Sequence, residues 1–506
     1  MCLPKTMQLS VLIKIAALWQ CSFGLSQASE GAHYIAAVYE HNIIFNPDPK
    51  VPRSRQAALD HMKENLDIYE EQVAAAAKQG AQIIVFPEDG LHGFNYTRES
   101  IVSYSETIPD PASMSWSPCL QPERFNGTEV LHRLSCMAHK HAVYLVANMP
   151  DRQECDSTDP HCPPDGRYQF NTDVVFSDDG TIVARYHKQN LYFESEFNTP
   201  RECEYVTFDT PFAGRFGLFT CFDILFHEPV ITLLEKYQVK QMIFPTAWFN
   251  EAPLLSAHQF QKAFATGSGI NLLAANLHHP PLRMTGSGIF TPSHSVYHFD
   301  METDKGRLLV SNVSLPTDSE TGSPPTSEVC MKSQDCGKPS ASKPVADGAA
   351  PGTFHGSMSS DNYTFVPVQG AEGDLTVCDG SLCCRLLYNG SHVPEELYAF
   401  GVFNGLHTAA RQFYLEVCAL VRCPGDTFAS CGGEVTAGDQ TITTIDFHLE
   451  GNFSTRYIYP SILTSGMQLD SPDRVGWEKE SYVMSKKHIS GGLVTATLYG
   501  RHYEKD

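Results

Sequence analysis

Glu88, Lys188 and Cys221 each stand at the end of a short apolar run. Glu88 follows QIIVFP, Lys188 follows IVARYH, and Cys221 follows RFGLFT and precedes Phe222-Asp223-Ile224. A buried strand delivers the residue at its end into the crevice where α/β sites form. A thiol, a carboxylate and an ammonium are the side-chain types that nucleophilic catalysis uses as attacking group, proton carrier and anion stabiliser. Taken singly, each has an ordinary explanation. A cysteine in apolar surroundings packs as a small hydrophobe, and a Glu or Lys near a strand end is usually a surface group or an ion pair. Spacing alone does not decide between these alternatives.

Other chemistries lack their parts. The chain has no HExxH, no paired CxxC set and no GxxxxGK[ST] loop, so neither a zinc site nor a phosphate loop is expected. His278-His279-Pro280 is a lone pair with a structural reading, and Gly286-Ser287-Gly288 is too short for a dinucleotide site.

The elements that must position the three residues alternate between strand and helix. Strand formers occupy 34–39, 82–86, 143–148, 214–220, 241–244 and 271–276. Segments 173–176 and 181–186 flank Asp178-Asp179-Gly180, a hairpin signal. Over 54–79, Leu59, Met62, Leu66, Tyr69, Val73 and Ala76 recur at steps of three and four, with Ser54 to cap the helix and Gly80 to end it. Further helices fit 128–140 and 254–266. The pattern predicts a mixed α/β domain over 32–315.

Residues 316–352 are rich in Pro, Gly and Ser and read as a linker. From 353 to 506 the pattern is β, with strands expected at 375–377, 385–388, 398–403, 413–421, 444–449, 457–459 and 493–498 and no helix with a good apolar stripe. This predicts a second, mainly β, Cys-rich domain.

The chain has 506 residues and a formal net charge of −22, a balance that excludes nucleic acid as a partner. Residues 1–28 read as a secretory signal: Lys5, an apolar run, then Ser26-Gln27-Ala28. No other segment approaches a membrane span, and no apolar tail of the lipid-anchor type follows YGRHYEKD. Secretion agrees with six Asn-x-Ser/Thr sites, at Asn95, Asn126, Asn312, Asn362, Asn389 and Asn452. It agrees also with sixteen cysteines. Cys155/Cys162 and Cys330/Cys336 are spaced to close local loops. Once Cys221 is set aside as a reduced thiol, an odd number of mature cysteines remains, and Cys203 is the candidate for the unpaired one.

PEDG, RYHKQNL and TCFDILFHEP, in this order, resemble the three signature segments of the nitrilase (carbon–nitrogen hydrolase) superfamily. The resemblance implies a four-layer α-β-β-α sandwich for 32–315. Together with the leader and the Cys-rich β region, the chain is similar to the secreted biotinidase and pantetheinase (vanin) group over nearly its whole mature length. The wording is nearest to the biotinidase branch in IIVFPEDGLHGFNYTRES, RFNGTEVLHRLSCMA, FDTPFAGRFG and GNFSTRYIYP.

The resemblance implies amide hydrolysis through a thioester, with no metal or cofactor. Cys221 is the nucleophile, Glu88 the proton carrier, and Lys188 the oxyanion stabiliser, helped by the backbone N–H of Phe222. Lys188 would also favour the thiolate. Glu194 is preferred over Glu196 as a supporting carboxylate. Trp248 and the TGSGI segment (285–289) are candidates for the pocket wall. The implied substrate is a biotinyl amide such as biocytin, with amines as conceivable acceptors of the acyl group. The alternatives are pantetheine hydrolysis and, in another class, a biotin carrier or an inactive surface-interaction protein.

Overall fold

The computed structural model describes residues 33–316, 352–391, 395–436 and 438–506. The expected leader, nearly all of the expected linker and the Cys330/Cys336 pair lie outside the described residues.

Two six-stranded sheets build the first half. One has the order β12-β1-β2-β3-β4-β5, from β1 (His33–Glu40), β2 (Ile83–Val85), β3 (Tyr144–Glu154), β4 (Arg167–Phe176), β5 (Ile182–His187) and β12 (Arg307–Ser314). The other has the order β11-β10-β9-β8-β7-β6, from β6 (Thr207–Thr210), β7 (Gly214–Leu218), β8 (Gln241–Thr246), β9 (Asn271–Asn276), β10 (Ser287–Phe290) and β11 (Ser295–His298). The central strands of each sheet, β1-β2-β3 and β7-β8-β9, run parallel. Both faces of these strands are covered, which is why their sequences read as nearly continuous apolar runs.

Alternation along each strand sorts side chains into layers. Ala36, Val38, Ile243, Leu273 and Ala275 meet between the two sheets. Ala37 and Tyr39 face the other way, toward α1 (Arg55–Lys78) and α2 (Glu129–His141). Met242, Phe244, Leu272 and Ala274 face α3 (Val230–Glu235) and α4 (Ala257–Ser268). The result is the expected α-β-β-α sandwich. Ser54 caps α1 by accepting the Ala57 N–H at 3.2 Å, and Gly80 turns the chain at φ +83°.

The second half is a β-sandwich. Its seven-stranded sheet has the order β13-β14-β17-β18-β24-β20-β21, formed by β13 (Phe354–Met358), β14 (Asp361–Val368), β17 (Tyr398–His407), β18 (Phe413–Arg422), β20 (Tyr457–Thr464), β21 (Gln468–Leu469) and β24 (Leu493–Arg501). Its five-stranded sheet has the order β15-β16-β19-β23-β22, formed by β15 (Glu372–Asp379), β16 (Leu382–Ser391), β19 (Thr444–Gly451), β22 (Arg474–Glu478) and β23 (Ser481–Lys486). The expected strands are all present but longer, and β13, β14, β21, β22 and β23 add to them. Cys384–Cys418 joins the two sheets, Cys378–Cys383 and Cys423–Cys431 close short loops, and Cys119–Cys136 and Cys155–Cys162 staple the first half. Cys203 and Cys221 are free thiols.

The two halves share one core. Phe260 and Phe264 of α4 pack on Tyr459 at ring distances of 5.8 and 5.1 Å, and Phe260 meets Tyr499 at 5.4 Å. Gly267 permits this approach, since a Cβ there would lie 2.3 Å from the Ile458 carbonyl oxygen. The buried Arg501 donates from Nε to the Leu225 carbonyl at 2.7 Å, with its guanidinium between the rings of Phe413 and Tyr503.

Candidate active site

Each of the three residues lies just beyond a strand. Glu88 follows β2, Lys188 directly follows β5, and Cys221 follows β7. Two come from one sheet and the third from the facing sheet, so the site closes only when the layers stack. All are buried, with exposures of 1%, 2% and 7%.

The carboxylate of Glu88 is held on three sides. Its Oε1 accepts from Lys188 Nζ at 2.6 Å and from Asn171 Nδ2 at 2.8 Å, and its Oε2 accepts from the Ala247 N–H at 2.9 Å. Lys188 also donates to Glu194, which accepts in addition from Asn171 at 2.8 Å and from the Tyr192 N–H at 3.0 Å. Burial opposes the charge on Lys188. Glu194 and Glu88 overcome that, and its pKa lies well above the ordinary lysine value. Burial raises the pKa of Glu194, with Lys188 opposing the shift.

Cys221 has φ +46° and opens a 3₁₀ helix, Cys221–Leu225. This left-handed conformation costs a non-glycine residue of order 1–3 kcal/mol and persists where the surroundings enforce it. The enforcing group is Asp223. Its Oδ2 accepts from the Thr220 N–H at 3.0 Å and from Tyr186 OH at 2.6 Å, and its Oδ1 accepts twice from Asn190. Burial raises the Asp223 pKa to about 6 against these bonds. The Phe222 N–H lies in the first turn of the 3₁₀ helix, where backbone donors lack an intrahelical acceptor.

Burial, then the charge of Glu88, pushes the Cys221 pKa well above the usual thiol value despite Lys188. The resting sulfur is therefore a neutral thiol. Lys188 does favour the thiolate, as expected, but burial and the Glu88 charge outweigh it.

Several supporting residues have no motif of their own. Asn171 bridges Glu88 and Glu194. Asn148 Nδ2 donates to Asn171 Oδ1 at 2.6 Å and to Asp173 Oδ1 at 2.9 Å, and Asp173 Oδ2 accepts from Thr220 Oγ1 at 2.7 Å. Burial lifts the Asp173 pKa to about 8. Asn171 and Asp173 are polar residues two apart in a buried strand, and that spacing on one face was a usable signal. His187 is clamped between Asp151 and Glu204, at 2.9 Å from each, and fixes the backbone just before Lys188.

Two clefts meet at Cys221. One contains Glu88, Asp89, Lys188, Glu194 and Glu196, with Phe193 77% exposed at its rim. The other contains Tyr192, Phe222, Leu225, Trp248, Leu255 and, from the β-sandwich, Ser359, Ser360, His407, Ala409, Ala410 and Phe413. Trp248 therefore lines a wall, held by its Nε1–H bond to the Leu255 carbonyl at 2.8 Å. Glu194 touches Lys188, whereas Glu196 only shares the acidic cleft. The TGSGI segment does not line either cleft. Thr285 and the Gly286 N–H bind the buried Glu40, which also pairs with His278 at 2.7 Å, so TGSGI and His278 serve packing.

Residues 37–266 match the family described as Carbon-nitrogen hydrolase, and residues 353–506 match the Vanin C-terminal domain. With this fold and site, the protein is a carbon–nitrogen (amide) hydrolase. Biotinidase of Mus musculus is 53% identical over 504 residues, covering 96% of each chain. Biotinidase of Homo sapiens is 52% identical, covering 94% of this chain and 90% of its own. Pantetheinase of Mus musculus is 45% identical, covering 95% and 91%. An amidase of known structure from Nesterenkonia sp. is 22% identical, covering 60% of this chain and 96% of its own, with a TM-score of 0.38. The chain belongs to the biotinidase family within the nitrilase superfamily. Among the described residues no helix is long and apolar enough to cross a membrane.

Proposed function

We propose that this enzyme hydrolyses biotin amides such as biotinyl-lysine, with Cys221 as nucleophile, Glu88 as proton carrier and Lys188 as oxyanion stabiliser. The observation that carries the proposal is the Glu88–Lys188–Cys221 cluster beside an aromatic cleft, in a chain 53% identical to a biotinidase along nearly its full length.

The neutral Cys221 thiol gives its proton to Glu88 as the sulfur attacks the amide carbon. The oxyanion faces Lys188 Nζ and the Phe222 N–H, and one such donor is worth about 100–1,000-fold in rate. Glu88 then passes the proton to the departing amine. A water, deprotonated by Glu88, attacks the thioester, and the acid leaves as the thiol is restored. Glu194 and Asn171 keep Lys188 and Glu88 in register throughout. The same thioester accepts a second amine in place of water, which would make acyl transfer a side reaction.

All six Asn-x-Ser/Thr asparagines (Asn95, Asn126, Asn312, Asn362, Asn389 and Asn452) are exposed, which supports their glycosylation on a secreted chain. The five disulfides among the described residues support the same oxidising destination.

The test compares the enzyme with Cys221→Ala on biotinyl-lysine and on pantetheine. Biotin release by the unaltered enzyme alone is expected. Release of cysteamine without biotin would move the assignment to pantetheine hydrolysis, and equal rates from the two proteins would remove Cys221 from the mechanism.

A further inference from the structure

We propose that two β-turns of the C-terminal sandwich form the acyl-binding wall of the catalytic cleft, where Ser359, Ser360 and His407 bind the cyclic-urea end of the acyl group. This rests on the biotin-amide function proposed above.

The aromatic cleft beside Cys221 has two unlike sides. Tyr192, Phe222, Trp248 and Leu255, from the α/β half, offer apolar surface, with Glu251 the one charged side chain beside them. That suits the alkyl chain joining the reacting carbonyl to the ring. Opposite them stand the turn between β13 and β14 and the turn between β17 and β18. A cyclic urea carries two N–H donors and a carbonyl acceptor. Leaving such groups buried without partners is costly, so the site must supply hydrogen-bonding groups away from the sulfur. Ser359, Ser360 and His407 are the polar residues that the sandwich brings to this cleft.

His407 is preset for this. Its Nδ1 bonds Asp361 Oδ2 at 2.8 Å and its ring stacks on Phe413 at 4.5 Å. With Nδ1 donating, Nε2 is left as the acceptor for a urea N–H. Ser359 and Ser360 have φ of +49° and +70°. Glycine or asparagine is the usual choice at such turn positions, so two serines accept strain there at the edge of the cleft. The second turn carries the same feature in Ala410, at φ +59°.

The wall is tied to the nucleophile. Arg411 lies over the Phe226 ring at 4.5 Å and donates to Asn190 Oδ1 at 2.6 Å, and Asn190 in turn donates to Asp223, which holds the Cys221 turn. The sandwich is thereby a specificity element as well as a support.

The test uses the whole enzyme with Ser359→Gly and Ser360→Gly combined. Glycine accepts both φ values, so the turn survives while the hydroxyls go. His407→Phe, which keeps a ring against Phe413, is the second variant. Steady-state kcat and KM are measured on biotinyl-lysine and on hexanoyl-lysine, whose acyl group lacks the ring. The expected result is a KM for biotinyl-lysine raised about tenfold at nearly constant kcat, with hexanoyl-lysine shifted less than about twofold, as the loss of one such hydrogen bond predicts. Equal shifts on both substrates, or none on either, overturn the wall while leaving the hydrolase function intact. Failure of the unaltered enzyme to cleave biotinyl-lysine overturns the function and the wall together.

Discussion

The two sides of Cys221 are built on opposite principles. On one, four carboxylates and one lysine are packed into a cleft supplied by the α/β half. On the other, aromatic rings from that half face turns from the β half. Buried charge is costly unless it is paired and bonded, and the acidic side meets that condition through Asn171, Asn148 and the Ala247 N–H. The difference teaches a division of labour. Proton transfer needs groups fixed by one rigid scaffold, while recognition can be contributed by a second domain.

The comparison can be broken most severely at Glu88. Glu88→Gln preserves shape but cannot carry a proton, and kcat/KM on biotinyl-lysine is expected to fall about 10²–10⁴-fold. A change confined to KM would refute the assignment of proton transfer to the acidic side. Lys188→Met should lower kcat about 10²–10³-fold. It should also destabilise the fold by about 3–5 kcal/mol in denaturant unfolding, because Glu88 and Glu194 lose their shared cation. Trp248→Ala tests the opposite side. Loss of its apolar surface should raise KM about tenfold with kcat largely kept.

A fourth prediction concerns pH. Burial lifts Asp173 from an ordinary value of 3.8 to about 8. The native state therefore keeps a proton that the unfolded chain releases, and stability falls as pH rises from about 4 to 8. The slope from this one proton is at most about 1.4 kcal/mol per pH unit. Unfolding measured across that range should show the decline in the unaltered enzyme and a flatter line in Asp173→Asn. The smallest effect belongs to Cys203. Burial pushes its thiol to about 12, so it is inert at neutral pH, and Cys203→Ser should leave kcat/KM within about twofold.

The reactive cluster was legible because each member ends a buried strand within a distinctive local segment. Glu194 was legible from the same segment as Lys188. The α-β-β-α order was legible because parallel strands and amphipathic helices differ in period. Asn148, Asn171 and Asp173 were overlooked because their roles arise from strand pairing between segments far apart in the chain. The sandwich turns were invisible for the same reason: Ser359 and His407 lie more than a hundred residues from Cys221. β13 and β22 are short and carry glycine and exposed polar residues (FHGSM and RVGWE), so alternation is weak there. TGSGI misled because a glycine-rich segment after a strand resembles a binding loop, whereas its small residues admit Glu40.

The position of β24 has a consequence for how the chain can be cut. β24 is not at an edge. It lies between β18 and β20 in the seven-stranded sheet, and its final residue reaches the Leu225 carbonyl at the end of the Cys221 helix. Cutting the chain before β24 would therefore open the middle of a sheet and uncover the aromatic face of α4. Loss of this one strand should be as damaging as loss of far more sequence elsewhere, because it would split the sheet that backs the cleft.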